Sequence, residues 1–151
     1  MSERVQARWL DQEQQYIWRT YLLGVAHINE RLDSALRDFG IDLGEYEILV
    51  SLEEATDRRL RMSDLAGKVH QSRSRLTHTV ARMEKAGLVE RQACPTDRRG
   101  VWAHLTDAGF ELLKQAAPSH VESVRTSFVE AVDPDDFRAI GRAFEAVLAA
   151  E

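Results

Sequence analysis

Apolar residues recur at steps of three and four along most of the chain, the spacing that places them on one face of an α-helix. The longest such pattern runs from about Leu10 to Phe39, and Gly40 ends it. A globular helix averages about 11–12 residues, so a helix of this length needs packing partners beyond a small single domain. A shorter helix is predicted in residues 43–54.

Two brief helices are predicted in residues 62–86. Ser63 is the expected cap of the first helix, because a serine oxygen accepts a backbone N–H that the first turn leaves unpaired. Ser72 is the expected cap of the second helix, and His70 and Gln71 form a short turn between the two. Two helices joined by so short a turn predict a helix-turn-helix.

The second of these helices has a polar, basic face opposite its apolar positions. Such a face suits the major groove of DNA, where arginine can contact two acceptors of guanine, and where serine, threonine and histidine serve bases or phosphates. An ordinary exposed face would mix acids with the arginines, yet no acid occurs here before Glu84. The expected DNA contacts are Gln71, Ser72, Arg73, Ser74, Arg75, Thr77, His78 and Arg82.

Strands are predicted next, at residues 88–91 and 101–105, and a short strand at 60–62 would complete a small sheet. The loop between the first two strands is polar and turn-forming. Arg98 and Arg99 at its tip are expected to enter the minor groove, where negative potential is concentrated.

Two further helices complete the pattern. Thr106 is the expected cap of the first, and Pro118 is expected to kink or split it near Ala117, because proline removes one hydrogen bond and crowds the preceding turn. Asp133 followed by Pro134 is a strong start for the last helix.

The order of these motifs resembles the MarR (multiple antibiotic resistance regulator) family of winged helix-turn-helix proteins. The resemblance is dense through Gly109. It rests on Leu-Ala-Gly-Lys-Val, Ser-Arg-Ser-Arg-Leu-Thr, Glu-Lys-Ala-Gly-Leu-Val-Glu-Arg, Asp-Arg-Arg-Gly and Leu-Thr-Asp-Ala-Gly. It implies a homodimeric, ligand-responsive transcriptional regulator, most often a repressor.

The predicted fold is therefore mainly α-helical with a small β-ribbon: a winged helix-turn-helix flanked by N- and C-terminal dimerisation helices. We expect a helical dimerisation region in residues 1–42 and 106–151 and a DNA-binding lobe in residues 43–105. The terminal helices carry apolar stripes that one lobe cannot cover. Pairing two chains would bury the stripes and place two recognition helices on one DNA face, about 34–36 Å apart on a pseudo-palindromic operator.

The net charge of −5 is unevenly distributed. Residues 58–104 hold 11 Lys and Arg against 4 Asp and Glu, whereas the rest of the chain holds 9 against 21. Because the local field decides where phosphate binds, the basic segment supports the DNA-binding prediction. The chain has no apolar run of the ~18–20 residues that a membrane span needs, no signal-peptide core and one cysteine, so we expect a cytoplasmic protein without a membrane partner.

Other candidate chemistry is sparse. The five histidines lack metal-ligand spacing, and no nucleophile, base and stabiliser are arranged as in an enzyme, so no metal, cofactor or catalytic residue is predicted. Cys94 leaves two interpretations open, a redox switch or a small residue in a strand.

Aromatic side chains concentrate in the first helix. The family resemblance implies a small aromatic or phenolic ligand in a cleft between the dimer helices and the DNA-binding lobe. Trp18, Tyr21, His27 and Tyr46 are the candidate pocket residues, and core or interface packing is their alternative role. For the whole chain, the alternatives are a winged-helix protein-interaction module or a constitutive DNA binder without a ligand.

Overall fold

The structure is a computed structural model, and it describes residues 7–96 and 100–150. Its helices are α1 (Gln12–Arg37), α2 (Leu43–Glu54), α3 (Met62–Val69), α4 (Arg73–Lys85), α5 (Asp107–Val124) and α6 (Pro134–Ala149). Its strands are β1 (Arg59–Arg61), β2 (Val89–Ala93) and β3 (Val101–Leu105). The predicted fold class, a mainly helical winged helix-turn-helix, is confirmed.

Side-chain caps fix several helix starts where the sequence predicts them. The Ser72 hydroxyl accepts the backbone N–H of Arg75 at 3.2 Å and begins α4. The Thr106 hydroxyl accepts the N–H of Gly109 at 3.0 Å and begins α5, and Asp133 caps α6. Each cap pairs a donor that the first helical turn leaves without a backbone acceptor.

The predicted cap at Ser63 is wrong. Helix α3 already begins at Met62, and the residue before it, Arg61, is extended and makes no side-chain cap bond. Arg61 is also the last residue of β1, where it pairs with Trp102 of β3. Strand pairing therefore sets the start of the helix and leaves Ser63 inside the first turn.

Helix α5 continues past Pro118 to Val124, so of the predicted kink or split near Ala117 the split is wrong, and the kink stays a prediction. Proline withdraws only one N–H from a helix, and packing against α1 and α2 supports α5. The irregular segment comes later, at Arg125–Val129, which forms a π-helical turn.

The three strands form an antiparallel sheet in the order β1-β3-β2. The short first strand is Arg59–Arg61, one residue earlier than predicted, and Leu60 pairs with Ala103. The β2–β3 hairpin is the wing, and at its loop end the Cys94 N–H donates to the Gly100 carbonyl at 2.9 Å. The loop tip, with Asp97 and the predicted DNA contacts Arg98 and Arg99, lies outside the described residues.

One apolar core fills the space between α2, α3, α4, the sheet and α5. Among its fully buried side chains are Leu36, Ile48, Leu49, Leu52, Leu65, Leu76, Met83 and Leu105. The outer helices take little part in it: α1 buries only Leu32 and Leu36, and α6 buries no residue. Most of the packing that fixes the fold therefore lies in the winged lobe.

Helix α5 meets the winged lobe at Gly109. A Cβ built at this position would overlap the carbonyl oxygen of Leu88 and lie 2.7 Å from Cδ1 of Leu105. The Thr106 hydroxyl donates to the Gly87 carbonyl at 2.6 Å in the same contact. Glycine is required here because no side chain fits between the helix and the turn that follows α4.

Candidate nucleic-acid interface

Helix α4 packs on the core with one face and leaves the other open. Leu76, Val80 and Met83 are fully buried. Seven of the eight predicted contacts in and beside this helix are exposed: Ser72, Arg73, Ser74, Arg75, Thr77, His78 and Arg82. The recognition surface, defined as these seven residues, therefore stands clear of the protein interior.

Gln71, the eighth predicted contact, is half-buried in the turn between α3 and α4. His70 makes this turn in the left-handed conformation, with φ of 52°. The side-chain oxygen of Gln71 is buried without a protein hydrogen-bond partner. Its side chain thus lies against the protein rather than on the open face of α4.

Two threonine hydroxyls of α4 donate hydrogen bonds to backbone carbonyls of the same helix. The Thr77 hydroxyl donates to the Arg73 carbonyl at 2.8 Å, and the buried Thr79 hydroxyl donates to the Arg75 carbonyl at 3.0 Å. The donor of Thr77 is thereby used within the helix, which leaves its methyl group and oxygen lone pairs for an external partner.

Arg82 is exposed, but it is turned towards α2. Its guanidinium nitrogen lies 3.7 Å from a carboxylate oxygen of Asp42 and 3.7 Å from one of Glu45. Burial raises the pKa of Glu45, and the neighbouring Asp42 charge raises it further. Of the recognition surface, Arg82 alone has an ion pair with described residues.

Basic side chains also line the sheet side of α4. A cleft of about 360 Å³ between α4 and the sheet is lined by Arg61, Arg73 and Arg91 among others, and none of the described residues that line it is an acid. The guanidiniums of Arg59 and Arg61 lie 4.8 and 5.5 Å from the Trp102 ring. Sequence reasoning missed Arg59 and Arg61, although their two-residue spacing puts both on one face of a strand.

Glu84 joins the end of α4 to the wing. Its carboxylate accepts the backbone N–H of Arg91 at 2.7 Å and two guanidinium N–H groups of Arg91 at 3.2 and 3.1 Å. These hydrogen bonds lower the pKa of Glu84. The bond from the backbone N–H contributes most, and the bonds from the guanidinium come second. This contact fixes the direction in which the hairpin leaves the helix.

Cys94 is buried at the loop end of the β2–β3 hairpin. A guanidinium nitrogen of Arg61 lies 3.7 Å from its sulfur, and the Thr96 hydroxyl lies 3.4 Å from it. The thiol is thus enclosed by the sheet.

The four candidate pocket residues do not line one cavity. Trp18 stacks on Tyr21 at 5.6 Å between ring centroids. Tyr21 and His27 line an apolar groove of about 740 Å³ between α1 and the C-terminal segment. Tyr46 lies elsewhere, buried in α2, and the structure therefore divides the set between two places.

The ring of Tyr46 packs against His120 of α5, a residue that sequence reasoning did not place at the pocket. The two rings lie 4.1 Å apart beside a cavity of about 410 Å³ that is bordered by α1, α2, α3 and α5. Burial raises the pKa of Tyr46 and lowers that of His120, whose Nδ1 is buried without a protein partner. His120 is 74 residues from Tyr46 along the chain, and only folding reveals the pair.

Residues 7–96 and 100–150 contain no group of three or more His, Cys, Asp or Glu side chains placed to hold a metal ion. None of the helices described there is both long and apolar enough to cross a membrane.

The crystal structure of AbsC, a MarR family transcriptional regulator from Streptomyces coelicolor, is 42% identical in sequence, with 94% of this chain and 96% of AbsC covered and a TM-score of 0.88. The chain belongs to the MarR family. The MarR family model itself matches residues 41–101, which hold α2 to α4 and β2 and end at the first residue of β3.

A second MarR family regulator from S. coelicolor, Sco3205, was solved in complex with DNA. It is also 42% identical, with 94% of this chain and 90% of Sco3205 covered and a TM-score of 0.89. MhqR, an HTH-type transcriptional regulator of Bacillus subtilis, is 28% identical over 97 residues, which are 64% of this chain and 66% of MhqR. The match thus spans slightly less than two thirds of that relative, as expected for similarity centred on the MarR domain.

Proposed function

We propose that this MarR-family regulator is a homodimer that binds a pseudo-palindromic operator in double-stranded DNA and represses transcription until a small aromatic or phenolic ligand releases it. The observation that carries the proposal is the open, acid-free face of α4. Arg73, Ser74, Arg75, Thr77 and His78 are exposed there while the opposite face is locked into the core. A helix held in this way can enter the major groove without rearrangement.

The residues of the proposed DNA interface, within and beyond the recognition surface, have distinct roles. The arginines of α4 read guanine or position the helix, and Ser72 meets phosphate at the positive end of the helix dipole. Gln71 supports this phosphate contact from the preceding turn. Arg98 and Arg99, at the tip of the wing, enter the minor groove. The cleft lined by Arg61 and other arginines adds positive charge between these two contacts.

Dimerisation through the outer helices is supported by the apolar side chains that one chain leaves in solvent. On α1, Tyr16 is 71% and Leu23 73% exposed, and on α6, Val147 is 64% and Leu148 83% exposed. Patches of this kind mark protein contacts, and a two-fold axis through them would give the symmetric operator.

The cavity beside Tyr46 and His120 supports the ligand part of the proposal. Its volume of about 410 Å³ suits a small aromatic compound, and the buried Nδ1 of His120 offers an acceptor for a phenolic hydroxyl. The cavity is bordered by α2 and α3 of the lobe and by α1 and α5 outside it. A ligand that binds one relative placement of these helices more tightly shifts the spacing of the recognition helices.

Selection of bound sequences from random duplex DNA tests the operator proposal. We expect an inverted repeat with half-sites about one helical turn, ~34–36 Å, apart, and an affinity that falls steeply with salt concentration. A variant that combines Arg73→Ala with Arg75→Ala is the control and should enrich nothing. Salt-insensitive binding of a protein partner, with no enrichment of DNA by the wild type, would favour the interaction-module alternative.

Thermal-shift screening against phenolic compounds tests the ligand proposal. A true ligand should raise the melting temperature and weaken DNA binding in the same concentration range. Replacing His120 with Phe should abolish both effects. If no compound produces both, the protein is a constitutive DNA binder.

A further inference from the structure

Arg82 differs from the rest of the recognition surface in having acidic neighbours. Asp42 and Glu45 both approach its guanidinium to 3.7 Å, and both belong to the first turn and cap of α2. The Glu45 side chain is only 13% exposed, so that end of the contact is shielded from solvent. The other arginines of α4, Arg73 and Arg75, form no ion pair with described residues.

The two acids are themselves fixed in place. Asp42 accepts the backbone N–H of Glu45 at 2.7 Å, and Glu45 accepts that of Asp42 at 3.3 Å, which completes a capping box. The carboxylates therefore stand at set positions on the N-terminus of α2. A guanidinium between them ties the C-terminal half of α4 to the start of α2.

We propose that Arg82 is a positioning residue: it sets the tilt of α4 against α2 and does not neutralise a DNA phosphate. Asp42 and Glu45 supply negative charge beside its guanidinium, and a phosphate approaching that site would meet both carboxylates. The role deepens the proposed function on which it rests, because the angle of α4 decides how well Arg73, Ser74 and Arg75 meet the groove.

The salt dependence of DNA binding separates this role from a phosphate contact. Each neutralised phosphate contributes about 0.9 to the slope of log affinity against log salt concentration. Arg82→Gln should therefore leave the slope unchanged while it weakens binding to the selected duplex about two- to fivefold, the range of an exposed ion pair. Arg73→Gln, the matched control for an α4 arginine that contacts phosphate, should lower the slope by about 1.

A double-mutant cycle identifies the partner. Glu45→Gln keeps an acceptor for the capping box but removes one of the two carboxylates beside Arg82, and it should weaken DNA binding less than Arg82→Gln because Asp42 remains. The double variant should be no weaker than Arg82→Gln alone, and Arg82→Lys should recover most of the wild-type affinity. A loss of slope in Arg82→Gln, or additive effects in the double variant, would overturn the proposal.

Hydrogen exchange in the DNA-free protein gives a reading that does not depend on the operator. Arg82→Gln and Glu45→Gln should each speed exchange of the amides of α4, while those of the β2–β3 hairpin stay unchanged. If the wild type binds no DNA, the proposed function fails. Unchanged exchange of the α4 amides in both variants would separately refute the proposal that Arg82 holds α4 against α2.

Discussion

The winged lobe and the outer helices share one chain but differ in how they bury apolar side chains. Helices α2 and α4 each bury four residues within 12 and 13, whereas α1 buries two in 26 and α6 none in 16. The lobe therefore has a closed core, while the outer helices expose an apolar surface that one copy of the chain does not cover. The first region holds the core and the proposed DNA contacts, and the second holds the proposed dimer contacts.

Acidic substitutions on the exposed apolar stripe of α6 should weaken the proposed dimer, and this is the largest effect that we expect. We expect the combined substitution Val147→Asp and Leu148→Asp to raise the dimer dissociation constant by a factor of about 1,000, or 4 kcal/mol, because two carboxylates would be buried in an apolar interface. Sedimentation equilibrium measures the effect. Ala139→Asp, on the opposite side of the helix, is the matched control and should leave the dimer intact. Dimers of equal strength in both variants would place the interface elsewhere.

Removing a core side chain should damage the lobe instead. Leu49 is 0% exposed, and Leu49→Ala should lower the free energy of unfolding by about 2–5 kcal/mol through lost burial and a residual cavity. Chemical denaturation at fixed protein concentration gives the value. An effect below about 1 kcal/mol would mean that the core around α2 is loosely packed.

Changing the recognition surface should affect DNA binding without affecting folding. Arg75→Ala should weaken binding to the selected duplex about 10- to 100-fold, or about 1–3 kcal/mol, and leave the melting temperature near that of the wild type. A mobility-shift titration measures the affinity. Arg138→Ala, which removes an exposed arginine of α6, serves as the control, and equal losses in the two variants would argue against a specific role for α4.

The smallest effect concerns His120, at the border between the two regions. Burial lowers its pKa, so the unfolded chain takes up a proton near pH 6.5 while the folded chain does not, and acidification favours unfolding. His120→Gln should reduce the stability lost between pH 7.5 and 5.5, by less than about 1 kcal/mol because the side chain is only partly buried. Urea denaturation at the two pH values tests this, and an identical loss in wild type and variant would contradict it.

Features encoded by neighbouring residues were predicted well from the sequence. Ser72, Thr106 and Asp133 cap helices because each cap needs only a donor two or three residues away. Ser63 failed as a cap because the pairing of Arg61 with Trp102, far along the chain, moves the start of α3. Local patterns thus specify helix ends until strand pairing overrides them.

The candidate site shows the same limit. The open face of α4 follows from helical spacing, but the position of Arg82 depends on Asp42, 40 residues earlier. Tyr46 was grouped with aromatics of α1, yet it pairs with His120, because packing rather than composition decides which rings meet. The π-helical turn at Arg125–Val129 has no local sequence pattern that we recognise.

The close contact at Gly109 limits how this sequence can evolve. Any side chain there would force α5 away from Leu88, and the hydroxyl bridge from Thr106 to Gly87 would open with it. Exposed residues of α4 make no such contact, so substitutions there leave α5 in place against the lobe. A substitution at Gly109 would therefore need a compensating rearrangement of the turn after α4, which exposed surface positions do not need.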